Sequence, residues 1–150
     1  MKPVAKVASP AAIAVLRQAT ALWPKRKKLS DGLLPSLEHI KQNPDSDHNT
    51  GLAVDLTHDP ANGVDCAELF QKLRSDSRVA YMIFNHRLWS ARGGEYRYTG
   101  KNPHTKHIHI SIVKSKSKDT SPWFPWMGKP KALNKVKARL AKKPKKENNQ

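Results

Sequence analysis

The sequence predicts an α+β fold: a small antiparallel sheet flanked by helices, with a basic tail at the C-terminus. Three observations predict it. Stretches 51–57 and 106–113 alternate aliphatic and polar residues with the period of a strand. Stretches 11–23 and 65–74 open with helix-start signals and carry apolar residues at helical spacing. Residues 129–150 hold nine Lys or Arg against one Glu, half of the formal net charge of +16. At 150 residues, 37% of them hydrophobic, the chain has material for a modest core. It is expected to form one domain over 1–128 and a tail over 129–150.

Ser9-Pro10 reads as N-cap and first helical residue of a helix over 11–23, with Ile13, Leu16 and Leu22 inward and Pro24 ending it. Lys25-Arg26-Lys27-Lys28 reads as a solvated basic face. Residues 30–40 are expected to form a short helix interrupted at Pro35, and 42–45 a loop. After the strand at 51–57 comes a turn-rich loop over 58–63. Asp65 with Glu68 forms a capping box that opens a helix through Arg74. The apolar run 79–84 reads as a buried strand. Residues 87–91 and 95–98 form a hairpin around Arg92-Gly93-Gly94. The loop 99–103 delivers His104 to the strand at 106–113. Residues 115–121 are a polar linker, and Trp123-Phe124-Pro125-Trp126 is expected to pack back on the domain. Residues 131–142 can form a basic amphipathic helix with Leu133, Val136 and Leu140 near one face, and the chain beyond Pro144 is expected to be disordered.

Composition removes several classes of function. The single Cys66 rules out an internal disulfide and a cysteine-based zinc site, and it reads as a small buried hydrophobe. No apolar run approaches the ~20 residues of a membrane span. The N-terminal stretch lacks a compact signal-peptide core, so the product is expected to be soluble and made in the cytoplasm. A chain this basic seeks polyanions: nucleic acid, anionic lipid, or the anionic polymers of a bacterial envelope.

The chemistry concentrates in two stretches. In 46–55, Ser-Asp-His-Asn-Thr-Gly-Leu-Ala-Val-Asp, His48 and Asp55 offer an imidazole and a carboxylate, both ordinary ligands for zinc. A bend at Gly51 can bring the His48 ring back towards Asp55. In 104–112, alternation places Ile108, Ile110 and Ile112 on one face and His107, His109 and Ser111 on the other. If the two strands pair, opposite side chains have Cβ atoms about 4.5–5.5 Å apart, so Asp55 and one of these histidines can share a metal. The small sheet would then carry the metal site.

Ser46-x-His48-x-x-Gly51-x-Ala53-x-Asp55 resembles the SxHxxGxAxD signature of the LAS-type (M15-like) zinc metallopeptidases. His104-x-x-His107-x-His109 is similar to the HxxHxH variant of their second motif. The resemblance spans roughly residues 40 to 113. It implies Zn2+ held by His48, Asp55 and His109, the last histidine of HxH being the ligand. Many relatives place a Glu shortly before that ligand. No Glu lies between Glu95 and His109, so the resemblance assigns the proton-transfer part to His104 or His107. It further implies hydrolysis of stem peptides or cross-links of bacterial peptidoglycan, with Arg92 and Tyr98 as candidate substrate contacts. A phage endolysin would suit the size and the basic end, which would meet anionic envelope polymers. His39, His58 and His86 read as ordinary satisfied residues.

Two other classes compete. His107-Ile108-His109 is also the His-hydrophobe-His pair of single-strand nicking nucleases, and the charge fits nucleic acid. Such enzymes need a tyrosine nucleophile, usually on a helix, whereas Tyr81, Tyr96 and Tyr98 all fall in expected strands. The third class is a non-catalytic zinc-bearing binding module.

The tail generates a prediction. A chain ending at Gly128 should fold, hold metal and cleave small soluble muropeptides as the full chain does, yet lose activity on intact cells. Clustered cations act over about a Debye length, ~8 Å at physiological salt, so the full-length advantage should shrink as salt rises. A large fall in Tm together with lost muropeptide activity would show instead that the tail is structural.

Overall fold

The computed structural model describes residues 4–128. Among them α1 (Pro10–Leu22), α2 (Leu37–Gln42), β1 (Ala53–Thr57), α3 (Cys66–Lys72), β2 (Val79–Phe84), β3 (Arg87–Ser90), β4 (Gly94–Arg97) and β5 (His107–Ile112) follow in order. The fold is α+β, as the alternating and helical patterns predict. All strand pairs are antiparallel, and the sheet order is β1-β5-β2-β3-β4. The expected tail and its amphipathic helix lie outside the described residues.

One face of the sheet builds the core. Val54 and Leu56 of β1, Ile108 and Ile110 of β5, and Met82 of β2 are fully buried. α1 covers this face beside β1, and α3 covers it beside β2 and β5. The inward face of α1 is Ala11, Ala12, Ala14, Val15 and Ala19, not the larger residues that spacing selects. Leu16 and Leu22 pack at the margin, and Ile13 is half-buried. Short side chains let the helix lie close to the strand, so volume rather than hydrophobicity picks the contact face. Ser9 caps α1 by accepting from the Ala12 amide at 3.3 Å, with Pro10 in the first turn. Asp65 caps α3 by accepting from the Ala67 and Glu68 amides. Cys66 is buried, and burial pushes its thiol up to about 12, which suits a packing role.

The aromatic segment after β5 folds back, as expected. Trp123 and Phe124 are buried, and the Trp123 indole N–H donates to the Ala11 carbonyl at 3.0 Å. The Arg78 guanidinium stacks 3.7 Å from the Trp123 ring centre and donates to the carbonyls of Asp119, Ser121 and Pro122.

β2 carries a one-residue bulge. Val79 stands opposite Ile112, while Tyr81 stands opposite Ser111, so the register slips between them. Val79 and Met82 both enter the core although they lie three apart. Tyr81 therefore turns to the other face, beside Ser111.

Two sequence readings are corrected here. Residues 30–35 form no helix, and Gly32 instead pairs across Asp55, its amide donating to the Asp55 carbonyl at 3.0 Å and its carbonyl accepting at 2.8 Å. Pro35 precedes α2 rather than interrupting a helix, and Ser36 supplies the cap. Within the basic cluster, Lys25, Lys27 and Lys28 are exposed but Arg26 is 5% exposed. Its guanidinium meets Asp31 in two bonds, at 3.0 and 2.8 Å, and its Nε donates to Thr20 at 3.1 Å. Asp31 Oδ1 also accepts from the Thr57 amide and hydroxyl, at 3.0 and 2.7 Å. Segment 26–33 is thus a strap tied to α1 and to β1.

Arg26→Ala should leave the Asp31 carboxylate largely buried without its counter-charge. The expected loss is about 3 kcal/mol by urea unfolding. A loss under about 1 kcal/mol would class the pair with ordinary surface bridges.

Candidate metal centre

The second face of the sheet carries the polar residues of both motifs. Register places Asp55 opposite His109, and Thr57 opposite His107. His109 Nδ1 lies 3.3 Å from Asp55 Oδ1. His107 Nε2 reaches the same oxygen at 3.6 Å. His48 arrives from the turn Asp47–Thr50, which Ser46 caps and Gly51 ends. Gly51 has φ +75, and a Cβ there would meet the Val7 carbonyl oxygen at 3.0 Å, so this bend needs glycine on both counts. The bend returns the His48 ring to Asp55, with Nε2 3.2 Å from Oδ1.

The donor atoms of His48, Asp55 and His109 all lie within 4.8 Å of one another. The cluster can chelate a divalent ion such as Zn2+, and the donor set fits one. Tetrahedral ligands about 2.0 Å from an ion stand about 3.3 Å apart, close to the 3.2 and 3.3 Å separations here. Proton counting points the same way. The Leu33 carbonyl can only accept, so His48 Nδ1–H donates to it at 2.8 Å. A neutral His48 then turns a bare Nε2 towards a carboxylate oxygen, which demands a proton or a cation between them.

The electrostatics follow. Burial works against a charged His48, but hydrogen bonding and attraction to Asp55, then the Leu33 carbonyl and Asp47, outweigh it and raise its pKa above 6.5. Burial also opposes the Asp55 carboxylate, yet hydrogen bonds from His109 and His48 hold it well below the usual carboxylate range.

His104 and His107 sit beside this cluster. The His104 ring is 5.0 Å from that of His107 and 5.7 Å from that of His109, centre to centre. His104 has φ +58 and donates from Nδ1 to the Asn102 carbonyl at 2.7 Å, which leaves Nε2 bare. Its loop is held by the Asn85 amide donating to the His104 carbonyl at 2.8 Å and the His86 amide donating to Pro103 at 2.9 Å. Burial, then the charges of His109 and His107, push its pKa down to about 4. Burial chiefly lowers that of His107 also.

Of the two candidate substrate contacts, Tyr98 lies edge-on to His104 at 5.8 Å, whereas Arg92 is exposed in the β3–β4 turn. His58 accepts the Cys66 amide at Nδ1 and packs on Phe84, an ordinary structural role. His86 is exposed in the β2–β3 turn. His39 departs from its reading as an ordinary residue. Its ring stands 5.9 Å from that of His48, and its buried Nδ1 has no hydrogen-bond partner among the described residues. Tyr81, stacked on His109 at 5.5 Å and 19°, also escaped the sequence reading. The run 79–84 is apolar throughout, so nothing in its spacing signals Tyr81; the register slip that turns it is seen only in the fold.

The raised His48 pKa sets the direction of a pH effect. A proton at Nε2 competes with any ion, and that proton is still bound above pH 6.5. Zinc affinity should therefore begin to weaken above pH 6.5 on acidification, with proton release on binding. Titration calorimetry in two buffers of different ionisation enthalpy checks this. Affinity that stays flat down to pH 6.5 would contradict it.

Comparison with known proteins adds a family. Residues 6–109 match the family model described as VldE, C-terminal domain, a span that runs from before α1 to His109 and contains both motif stretches. That description names neither a peptidase nor a substrate. No curated protein and no solved structure matches the chain. Since the matched span covers well over half of the 150 residues, the chain belongs to the VldE C-terminal domain family.

Proposed function

We propose that this chain is a LAS-type zinc peptidase that hydrolyses peptide bonds in the stem peptides or cross-links of bacterial peptidoglycan. The observation that carries the reading is the convergence of two imidazoles and one carboxylate from two separate motifs, with His104 and His107 alongside. His48 Nε2, His109 Nδ1 and Asp55 would hold the ion. When bound, zinc supplies Lewis-acid polarisation of the scissile carbonyl and acidifies a water.

The remaining work falls to the chain's own residues. His104 Nε2 takes the proton of the attacking water and returns it to the departing nitrogen. Burial lowers the pKa of this ring to about 4, which keeps Nε2 unprotonated and free to accept at pH 7 and favours return of the proton once it is bound. His107 steadies the negative oxygen of the tetrahedral species. Glu95, the nearest Glu before His109 in sequence, is already engaged by Arg74 and Arg87. Tyr98, beside His104, and Arg92 would contact the peptide. The protein would act on the wall after release in the manner of a phage lysin, its tail meeting anionic polymers.

The nuclease reading gains nothing from Tyr81. Its phenol is pushed up to about 12, chiefly by burial, and donates to Asp47 at 3.0 Å, the reverse of an activated nucleophile. A non-catalytic zinc-bearing module would show bound metal without turnover.

Digestion of purified peptidoglycan by the zinc-loaded chain, with new termini identified by mass spectrometry, tests the reading. His104→Ala and His107→Ala should keep their metal and lose about 10²–10⁴-fold in rate. The absence of new peptide termini from the wild-type digest would end the peptidase reading. Near wild-type rates in both variants would end the base assignment alone.

A further inference from the structure

The loop that delivers His104 is fastened by the turn between β2 and β3. Phe84 pairs with Arg87, so Asn85 and His86 alone make that turn. Both are left-handed, with φ 48 and 67, as a two-residue turn of this hand requires. Both side chains are exposed, so their contribution comes from the backbone. The Asn85 amide donates to the His104 carbonyl at 2.8 Å, and the His86 amide donates to the Pro103 carbonyl at 2.9 Å. The His86 carbonyl accepts from the Tyr98 amide at 2.8 Å. An exposed turn could leave these groups to water. This one spends all three on the chain between Tyr98 and His104.

Asn102 fastens the loop from within. Pro103 has no N–H, so the next amide able to donate is that of His104, and it donates to Asn102 Oδ1 at 3.0 Å. The ring is tied to the same residue, Nδ1–H donating to the Asn102 carbonyl at 2.7 Å. The ring cannot flip without breaking that bond, and Nε2 is the nitrogen left for other partners. His104 itself has φ +58. A left-handed residue other than glycine is uncommon and persists where its surroundings over-determine it. Here its amide, its carbonyl and its ring are each bonded, and the carbonyl of the residue before it is bonded too. At a negative φ the Cβ of His104 would leave the backbone in another direction, and the ring would leave its neighbours.

We propose that Asn102 and the left-handed turn Asn85-His86 are positioning residues that hold His104 at φ +58, so that its ring stands against those of His107 and His109. The purpose of this arrangement rests on the assignment of proton transfer to His104; the geometry does not. None of the three residues is given chemistry of its own.

Asn102→Ala removes the accepting oxygen of an exposed side chain, and Asn85→Val keeps the amide but resists a positive φ. The measurement is the nuclear Overhauser contact between the rings of His104 and His107, whose centres lie 5.0 Å apart, in the zinc-loaded full-length protein. Zinc content, and kcat and KM on peptidoglycan fragments, are measured beside it. Both variants should lose the ring contact and about ten- to a hundredfold in kcat, with KM and zinc content unchanged. Asn85→Gly, which accepts a positive φ, and Asn102→Asp, which keeps the accepting oxygen, should keep the ring contact. A contact that persists in both Asn102→Ala and Asn85→Val would overturn the proposal, as would its absence from the wild type. Loss of the contact with kcat unchanged would uphold the positioning and end the proton-transfer assignment. A wild type that releases no new peptide termini would end the peptidase reading, and the ring contact, read without substrate, would still decide the positioning.

Discussion

The pairing of β1 with β5 is the constraint on which the rest depends. It sets Asp55 against His109 and, in the same register, Val54 against Ile110 and Leu56 against Ile108. Because side chains alternate between faces, a slip of one residue would send the aliphatics to the polar side and both ligand candidates into the core. Core burial and centre assembly are therefore one event. The hydrophobic effect, which has no directional preference of its own, locates a carboxylate to within a hydrogen-bond distance of an imidazole. The same coupling explains why a domain with a modest core can hold three polar groups this tightly.

Much of this was legible in the sequence, and for an identifiable reason. Both motif strands alternate strictly, and Gly51 marks the bend that returns His48, so local rules bring His48, Asp55 and one of His107 and His109 together; the choice of His109 came from the resemblance to the metallopeptidase motifs. The helices at α1 and α3 announced themselves through Ser9-Pro10 and Asp65. What escaped depends on partners distant in sequence. Arg26 reads as one more surface cation among lysines until Asp31 folds back onto it and Thr57 closes the group. Residues 31–33 have no strand periodicity, and Gly32 eases their approach to β1: a Cβ there would stand 3.2 Å from Asp55 Oδ2, a tight contact. His39 lies on a six-residue helix with no pattern around it, and only the tertiary fold brings it beside His48.

The strap at 26–33 also shows how the centre is insulated. Its backbone pairs with Asp55 and its Asp31 carboxylate takes the Thr57 amide, so these groups on the outer edge of β1 are not left open to another chain. The Leu33 carbonyl comes from that same segment, so the group that orients His48 and the group that seals the sheet edge move together. Any change that loosens the strap acts on stability and on the orientation of a ligand candidate at once.

The bulge in β2 has a consequence for how relatives of this chain are to be sought. The strand reads one face with its first residue and, one step out of phase, the same face again from Met82 onward. A search pattern built on strict alternation would score Tyr81 as a core position and reward an aliphatic there. The diagnostic spacing is three between buried residues, Val79 to Met82, with an aromatic hydroxyl just before the second. Sequences that keep the two metal motifs but restore even spacing in this strand would have traded the tyrosine's face for packing, and they should be grouped apart from those that keep the kink.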